Sequence, residues 1–275
     1  MEIRFGNSPD ETKSMDTQQL RKNFLVEIMS DNRVVCTYTH YDRAIIGGAK
    51  PIDDTLLLEN HEELKSSFFL ERREVGIINV GNTGQVIADG VEYTLNKLDC
   101  VYLGRGTEKV EFKSISANEP ASFYFMSVPA HRNYPNTFMA ATDASPVELG
   151  DTSTSNERVI YKYIHLDGIK SCQLVMGLTI LKDGSVWNSV PPHTHTRRME
   201  SYFYFDIPAE HQVFHYMGEP QETRHLAVKN HQAAISPPWS VHFGCGTTNY
   251  AFIWAMAGEN QVFSDMDQCA IVDLL

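Results

Sequence analysis

Short apolar runs broken by turn residues cover most of this chain. Val75–Val80, Val86–Ala88, Cys100–Leu103, Ser122–Ser127, Gln173–Ile180, Tyr202–Phe205, Val213–Tyr216, His225–Val228 and Ala251–Met256 are rich in Val, Ile, Phe and Tyr, with Gly, Asn, Asp and Pro between them. Runs of this length and composition predict strands. Many short strands separated by turn signals predict a β-sandwich or barrel. Two stretches read as helix. Asp16–Met29 has an acidic cap and sets Leu20, Phe24, Leu25 and Ile28 on one face, and Glu59–Lys65 forms a briefer second helix. The expected fold class is all-β with short flanking helices.

A weak internal repeat divides the chain. Leu70-Glu71-Arg72-Arg73-Glu74 leads into Val75–Val80, and Thr196-Arg197-Arg198-Met199-Glu200 leads into Ser201–Phe205. Each is followed, at unequal distances, by a short strand and a glycine-containing turn, at Val101–Gly106 and Val241–Gly246. A duplicated barrel explains both copies. The polar segment 133–156, with two prolines and many small residues, reads as the linker between a first half, 1–132, and a second, 157–275; an ordered arm across a neighbouring subunit is the other reading of it.

Composition narrows the partners. A chain of 275 residues with 42% hydrophobic content can bury a large core, and its net charge of −12 argues against nucleic acid as a partner. It leaves room for a small anionic substrate held by a few local arginines. No apolar run is long enough to span a bilayer, and the start MEIRFGNSPDETKSMD lacks the basic and apolar regions of a signal peptide. Cys36, Cys100, Cys172, Cys245 and Cys269 are odd in number and form no C-x-x-C pair, which fits reduced thiols in a cytoplasmic protein. Cys245 follows a candidate ligand by three residues, but nothing in that spacing favours it as a ligand.

The strongest chemical signal is His193-Thr194-His195 followed by Glu200, with His242 in the later SPPWSVH segment. Residues two apart on a strand point to one face, so His193 and His195 can aim both imidazoles at one point. Glu200 has the wrong parity for one unbroken strand, and a turn or bulge at Thr196–Met199 would restore it. Three imidazoles and one carboxylate suit a divalent ion such as Zn, Mn, Fe or Ni. An H-x-H alone is common in a chain with eleven histidines. The added Glu and the later His in an all-β context lift this one well above chance.

H-x-H-x4-E with a later His is the pattern of the metal-binding cupins, and the resemblance sharpens along the chain. FFLERREVGIINVG, CQLVMGLT, PPHTHTRRMESYFYF, GEPQETRHLAVKN, ISPPWSVHFGCGT and FIWAMAGENQVFSDMD resemble, in order, the 5-keto-4-deoxyuronate isomerase family. That resemblance implies two tandem cupin (jelly-roll) barrels and one zinc ion per chain. It places the zinc in the second barrel on His193, His195, Glu200 and His242, and implies a hexamer. The first half has no H-x-H. The sister family, the 5-deoxyglucuronate isomerases of inositol breakdown, shares ETRH, SPxWSxH and FIW, but LERRE and INVG fit the pectin-pathway family better.

The implied reaction is the isomerisation of 5-dehydro-4-deoxy-D-glucuronate to 3-deoxy-D-glycero-2,5-hexodiulosonate, assisted by Lewis acidity at C1 and C2. Glu222 or a metal-bound water is the candidate base, with a hydride shift as the other route. Arg197 or Arg198 is a candidate clamp for the substrate carboxylate. Arg224, favoured as the inward-facing member of Arg224–His225, is another. Trp187, Trp239 and Trp254 read as core or rim packing. The rival readings are a cupin dioxygenase and a non-enzymatic sugar-binding barrel.

Overall fold

The strands predicted from the apolar runs all form, and they assemble into a duplicated all-β architecture. The computed structural model describes residues 1–262 and 265–275; Phe263 and Ser264, inside the FIWAMAGENQVFSDMD stretch, lie outside the described residues. A seven-stranded sheet runs in the order Glu2–Arg4, Val34–Thr39, Ile45–Ala49, Phe123–Pro129, Arg73–Asn79, Cys100–Leu103, Thr137–Met139. A second has the order Val147–Leu149, Arg158–Ile164, Val175–Leu181, Ala251–Gly258, Arg198–Phe205, Gln232–Ser236, Leu25–Glu27. Each is closed by a four-stranded sheet, one built around Val110–Ser114 and Gly84–Ala88, the other around Phe243–Gly246 and Val213–Glu219. The result is two tandem jelly-roll barrels.

Alternation along each central strand sorts its side chains between two cores. In Arg198–Phe205, Met199, Phe203 and Phe205 enter an apolar layer between the two large sheets, while Tyr202 and Tyr204 enter the second barrel. In Arg73–Asn79, Val75 and Ile77 fill the first barrel and Ile78 joins the shared layer. The two barrels therefore pack back to back, with Tyr124 of one stacked on Phe203 of the other at 4.9 Å between ring centroids.

A buried carboxylate fastens the two halves. Glu74 is fully buried and accepts hydrogen bonds from the main-chain N–H groups of Cys172, Gln173 and Leu174 at 2.7, 2.9 and 3.0 Å, and from the Tyr102 hydroxyl at 2.7 Å. Four donors compensate the cost of burying that charge.

The expected boundaries need two corrections. The helix covers Thr17–Phe24, capped by Asp16, whose side chain accepts from the Gln19 N–H while the Gln19 side chain accepts from the Asp16 N–H. The chain then extends as strand Leu25–Glu27, and with Leu20, Phe24 and Leu25 buried in the second barrel's core this segment belongs to the second sheet rather than to the first half, 1–132. The apolar face read as a helix through Met29 is thus shared between a helix and a strand. The linker 133–156 is also ordered: Thr137–Met139 pairs with the first barrel and Val147–Leu149 with the second. Glu59–Lys65 contains one short 3-10 turn, Glu62–Leu64.

Replacing Glu74 with Gln should destabilise the protein by about 2–3 kcal/mol, because an amide cannot accept from all four donors. Chemical denaturation of the variant beside the native chain measures this, and an unchanged midpoint would show that the inter-barrel carboxylate contributes nothing.

Candidate metal centre

Four side chains converge at one end of the second barrel. His193 lies in a short strand, His193–Thr194, paired with Asp267–Gln268 near the C-terminus. A turn then closes at His195–Arg198, with the Arg198 N–H on the His195 carbonyl, and the next strand starts at Arg198. That turn is the device the H-x-H-x4-E spacing required. It resets the parity so that Glu200, two residues before the inward Tyr202, faces the histidines. His242 arrives from Pro237-Pro238-Trp239-Ser240, where the Ser240 N–H closes a turn on the Pro237 carbonyl.

One donor atom from each of the four lies within 4.8 Å of the others, and all four residues are buried. Nε2 of His242 is 3.0 Å from Nε2 of His193 and 3.1 Å from Nε2 of His195. Glu200 Oε2 is 2.8 Å from His242 Nε2 and 3.2 Å from His195 Nε2.

Main-chain carbonyls fix the tautomers. His195 Nδ1 is 3.0 Å from the Asp265 carbonyl and His242 Nδ1 is 3.2 Å from the Ser240 carbonyl. Arg198 Nε is also 3.3 Å from His195 Nδ1, but the shorter contact assigns the proton to Nδ1. Both Nε2 lone pairs then face Glu200 and each other. Such acceptors repel at these distances unless a cation lies between them. Imidazoles oriented through Nδ1 with Nε2 turned inward are the arrangement of metal-ligating histidine. Zn–N and Zn–O bonds of about 2.0–2.2 Å suit donors about 3 Å apart, so the residues fit a divalent ion.

Charge states agree with a ligand set. With no metal bound, burial would raise the Glu200 carboxyl, but a proton held at Nε2 of His242 or His195 outweighs it and keeps the group well below the usual carboxylate range; a cation would take that proton's place. Burial, reinforced by charge at His242, pushes His193 down to about 2. At neutral pH the carboxylate is ionised and His193 is deprotonated, as coordination requires.

Beside the donors lies a cavity of about 250 Å³. Phe252, Trp254, Met256 and Met266 give it an apolar wall, and Ser189, Tyr202, Thr179, Gln268 and Arg158 supply polar groups besides the donors. Ser189 Oγ and Tyr202 Oη are 2.7 Å apart. Trp254 lies across Gly177, where a Cβ would run into its ring, and its indole N–H donates to Thr179 Oγ1 at 3.2 Å. Trp254 is buried in the second barrel's core, as the sequence reading expected, and also forms a wall of the cavity. Trp187 and Trp239 lie outside this cavity.

The other expected site residues stand elsewhere. Arg197 is exposed. Arg198 is buried, with Nη1 donating to the Val262 carbonyl at 2.8 Å and Nη2 to the Asp265 carbonyl at 3.2 Å. It thus holds the carbonyl that orients His195. Arg224 shares a strand face with the buried Leu226 and Val228, but it lies at the far end of the strand, paired with Glu222 at 2.7 Å and bonded to the Lys13 carbonyl. Alternation predicts a face and not a position along the barrel, so neither Arg224 nor Glu222 reaches the cavity. Cys245 is not in the donor group. Of the residues not foreseen, Tyr202 was legible from alternation two residues after Glu200, while Arg158, Ser189 and Gln268 come from segments with no local signal.

The KduI/IolB family profile matches residues 25–271. The chain is 53% identical over 275 residues to the 4-deoxy-L-threo-5-hexosulose-uronate ketol-isomerase of Halalkalibacterium halodurans, and 52% identical over 275 residues to that of Caldicellulosiruptor bescii, each match covering 100% of both chains. Among solved structures, an IolB-like protein from Salmonella typhimurium superposes with a TM-score of 0.68 at 13% identity, covering 87% of this chain and 94% of that one. Lactobacillus farciminis oxalate decarboxylase does so with a TM-score of 0.59 at 8% identity, covering 90% and 88%. These two likenesses speak to the fold.

Two outcomes follow from this geometry. His195→Ala should remove most of the bound metal, measured by elemental analysis; full occupancy would refute the ligand assignment. Acid should also weaken the fold through His215, which is fully buried against the Tyr204 hydroxyl at 2.8 Å and is pushed down to about 3 by burial and by charge at His242. Because its folded pKa lies below the unfolded one near 6.5, its contribution is intact above that pH and is lost as pH falls toward 3, by about 1.4 kcal/mol per unit. Denaturation midpoints of chelator-treated protein between pH 7 and 4.5 should fall less steeply in His215→Gln; equal slopes would remove His215 from the account.

Proposed function

The chain belongs to the KduI/IolB family, and from that footing we propose that it is a ketol-isomerase of uronate breakdown. It converts 5-dehydro-4-deoxy-D-glucuronate to 3-deoxy-D-glycero-2,5-hexodiulosonate, an intramolecular oxidation and reduction. The names carried by full-length relatives favour this reaction over 5-deoxyglucuronate isomerisation, dioxygenation or simple sugar binding. The observation that carries the reading is the buried set of His193, His195, Glu200 and His242 opening on a cavity with an apolar wall.

The reaction moves one hydrogen from C2 to C1 and the carbonyl from C1 to C2. These four residues would hold a divalent ion, zinc in our reading, which would supply Lewis acidity to the reacting carbonyl. Burial, with the Glu200 charge adding to it, raises the Tyr202 phenol well above its ordinary value. It therefore remains a hydrogen-bond donor at neutral pH, steadied by Ser189. A fixed donor facing the oxygens where negative charge develops lowers the barrier to moving the hydrogen from C2 to C1. Phe252, Trp254 and Met256 keep water from the reacting carbons, which protects the enediol from side reactions.

In this reading the protein works as a cytoplasmic homo-oligomer, a hexamer, on a small sugar acid. No described helix is long and apolar enough to cross a membrane.

Unsaturated digalacturonate treated with an unsaturated-uronide hydrolase supplies the substrate. NMR should show the 2,5-diketo acid forming with the protein and not after chelation; turnover of 5-deoxyglucuronate alone would reassign the substrate. Tyr202→Phe should lower kcat by about 100-fold with little change in KM or metal content, and an unaltered kcat would take Tyr202 out of the reaction.

A further inference from the structure

A sugar acid carries a carboxylate at the end remote from C1, and a cavity that takes it out of bulk water is matched to it by a cation there. Among the described residues lining the cavity, Arg158 alone bears a guanidinium or ammonium group. It opens the strand Arg158–Ile164, two residues before Ile160, which lines the same cavity. Its Nη1 donates to a neutral partner, the Asn156 carbonyl, at 2.8 Å. Arg158 and Tyr202 line the same cavity. The other candidate arginines are committed elsewhere, Arg198 to two main-chain carbonyls, Arg224 to Glu222, and Arg197 to solvent.

We propose that Arg158 binds the substrate carboxylate in the cavity it shares with the candidate metal ligands and so selects sugar acids over neutral sugars. A guanidinium presents paired N–H groups that match a carboxylate and excludes a neutral aldose, which would leave its charge unpaired. The residue sets specificity and orientation: with the carboxylate held at one end, C1 and C2 fall at the other. This inference rests on the isomerase reading for the reaction, whereas the ligand class follows from the cavity itself.

The test uses Arg158→Gln and Arg158→Lys in metal-replete protein of checked metal content and melting temperature. Turnover is measured on 5-dehydro-4-deoxy-D-glucuronate and on its methyl ester. Binding of the unreactive acid galactonate and of neutral galactitol is measured by calorimetry. R158Q should lose roughly 10- to 100-fold in kcat/KM on the acid, chiefly through KM, and keep its rate on the ester. Galactonate affinity should fall by a similar factor and galactitol affinity should not change, with R158K between the two because it keeps charge without the paired geometry. Equal losses on acid and ester, or unchanged galactonate affinity in R158Q, would overturn the anchor, as would failure of the native protein to bind galactonate. If the native protein turns over neither uronate but R158Q still loses galactonate, the isomerase reading fails and the anchor stands.

Discussion

Three imidazole nitrogens and one carboxylate oxygen held within 4.8 Å of one another, all buried, form an arrangement that suits a cation. Much of the second barrel's construction answers to that constraint. The turn at His195–Arg198 brings Glu200 to the histidines, and the Ser240 carbonyl turns His242. Arg198 holds the Asp265 carbonyl that turns His195, and the short pairing of His193–Thr194 with Asp267–Gln268 carries the C-terminal segment over the site.

The duplication shows what happens without that constraint. Arg73 and Arg198 each open the central strand of a large sheet, each paired with the last residue of its neighbour, Pro129 and Gly258. Counting from there, Val75 occupies the position of Glu200. The first barrel thus carries an apolar residue where the second carries a candidate ligand, and its interior is a hydrophobic core. Its contribution is mechanical. Its large sheet backs the strand that bears Glu200 through Tyr124 and Phe203, and Glu74 ties its own central strand to the start of Val175–Leu181, one strand removed from the cavity's aromatic wall.

The convergence of these four side chains was legible because two of them are near neighbours in period-two spacing and the others follow in recognisable local sequence. The strands were legible because their apolar runs are short and cleanly punctuated. What could not be read was distance along and around the barrel. Arg224 has the inward parity it was expected to have, yet it sits at the wrong end of its strand. Arg158 follows directly on the polar segment taken for a linker, and only the pairing of Val147–Leu149 with Arg158–Ile164 reveals that this stretch is cavity wall. The crossing of Leu25–Glu27 into the second sheet depends on a partner, Gln232–Ser236, about two hundred residues away, and nothing local announces it.

The central claim is that one divalent ion on His193, His195, Glu200 and His242 is what makes this barrel an isomerase. The direct measurement is stoichiometric: strip the protein of metal, add Zn2+ in fractions of an equivalent per chain, and follow formation of the 2,5-diketo acid by NMR. The account predicts no turnover in the stripped protein, a linear rise, and a break at one equivalent. Full activity in protein shown to be metal-free, or a break absent from native protein but present after His242→Ala, would contradict it.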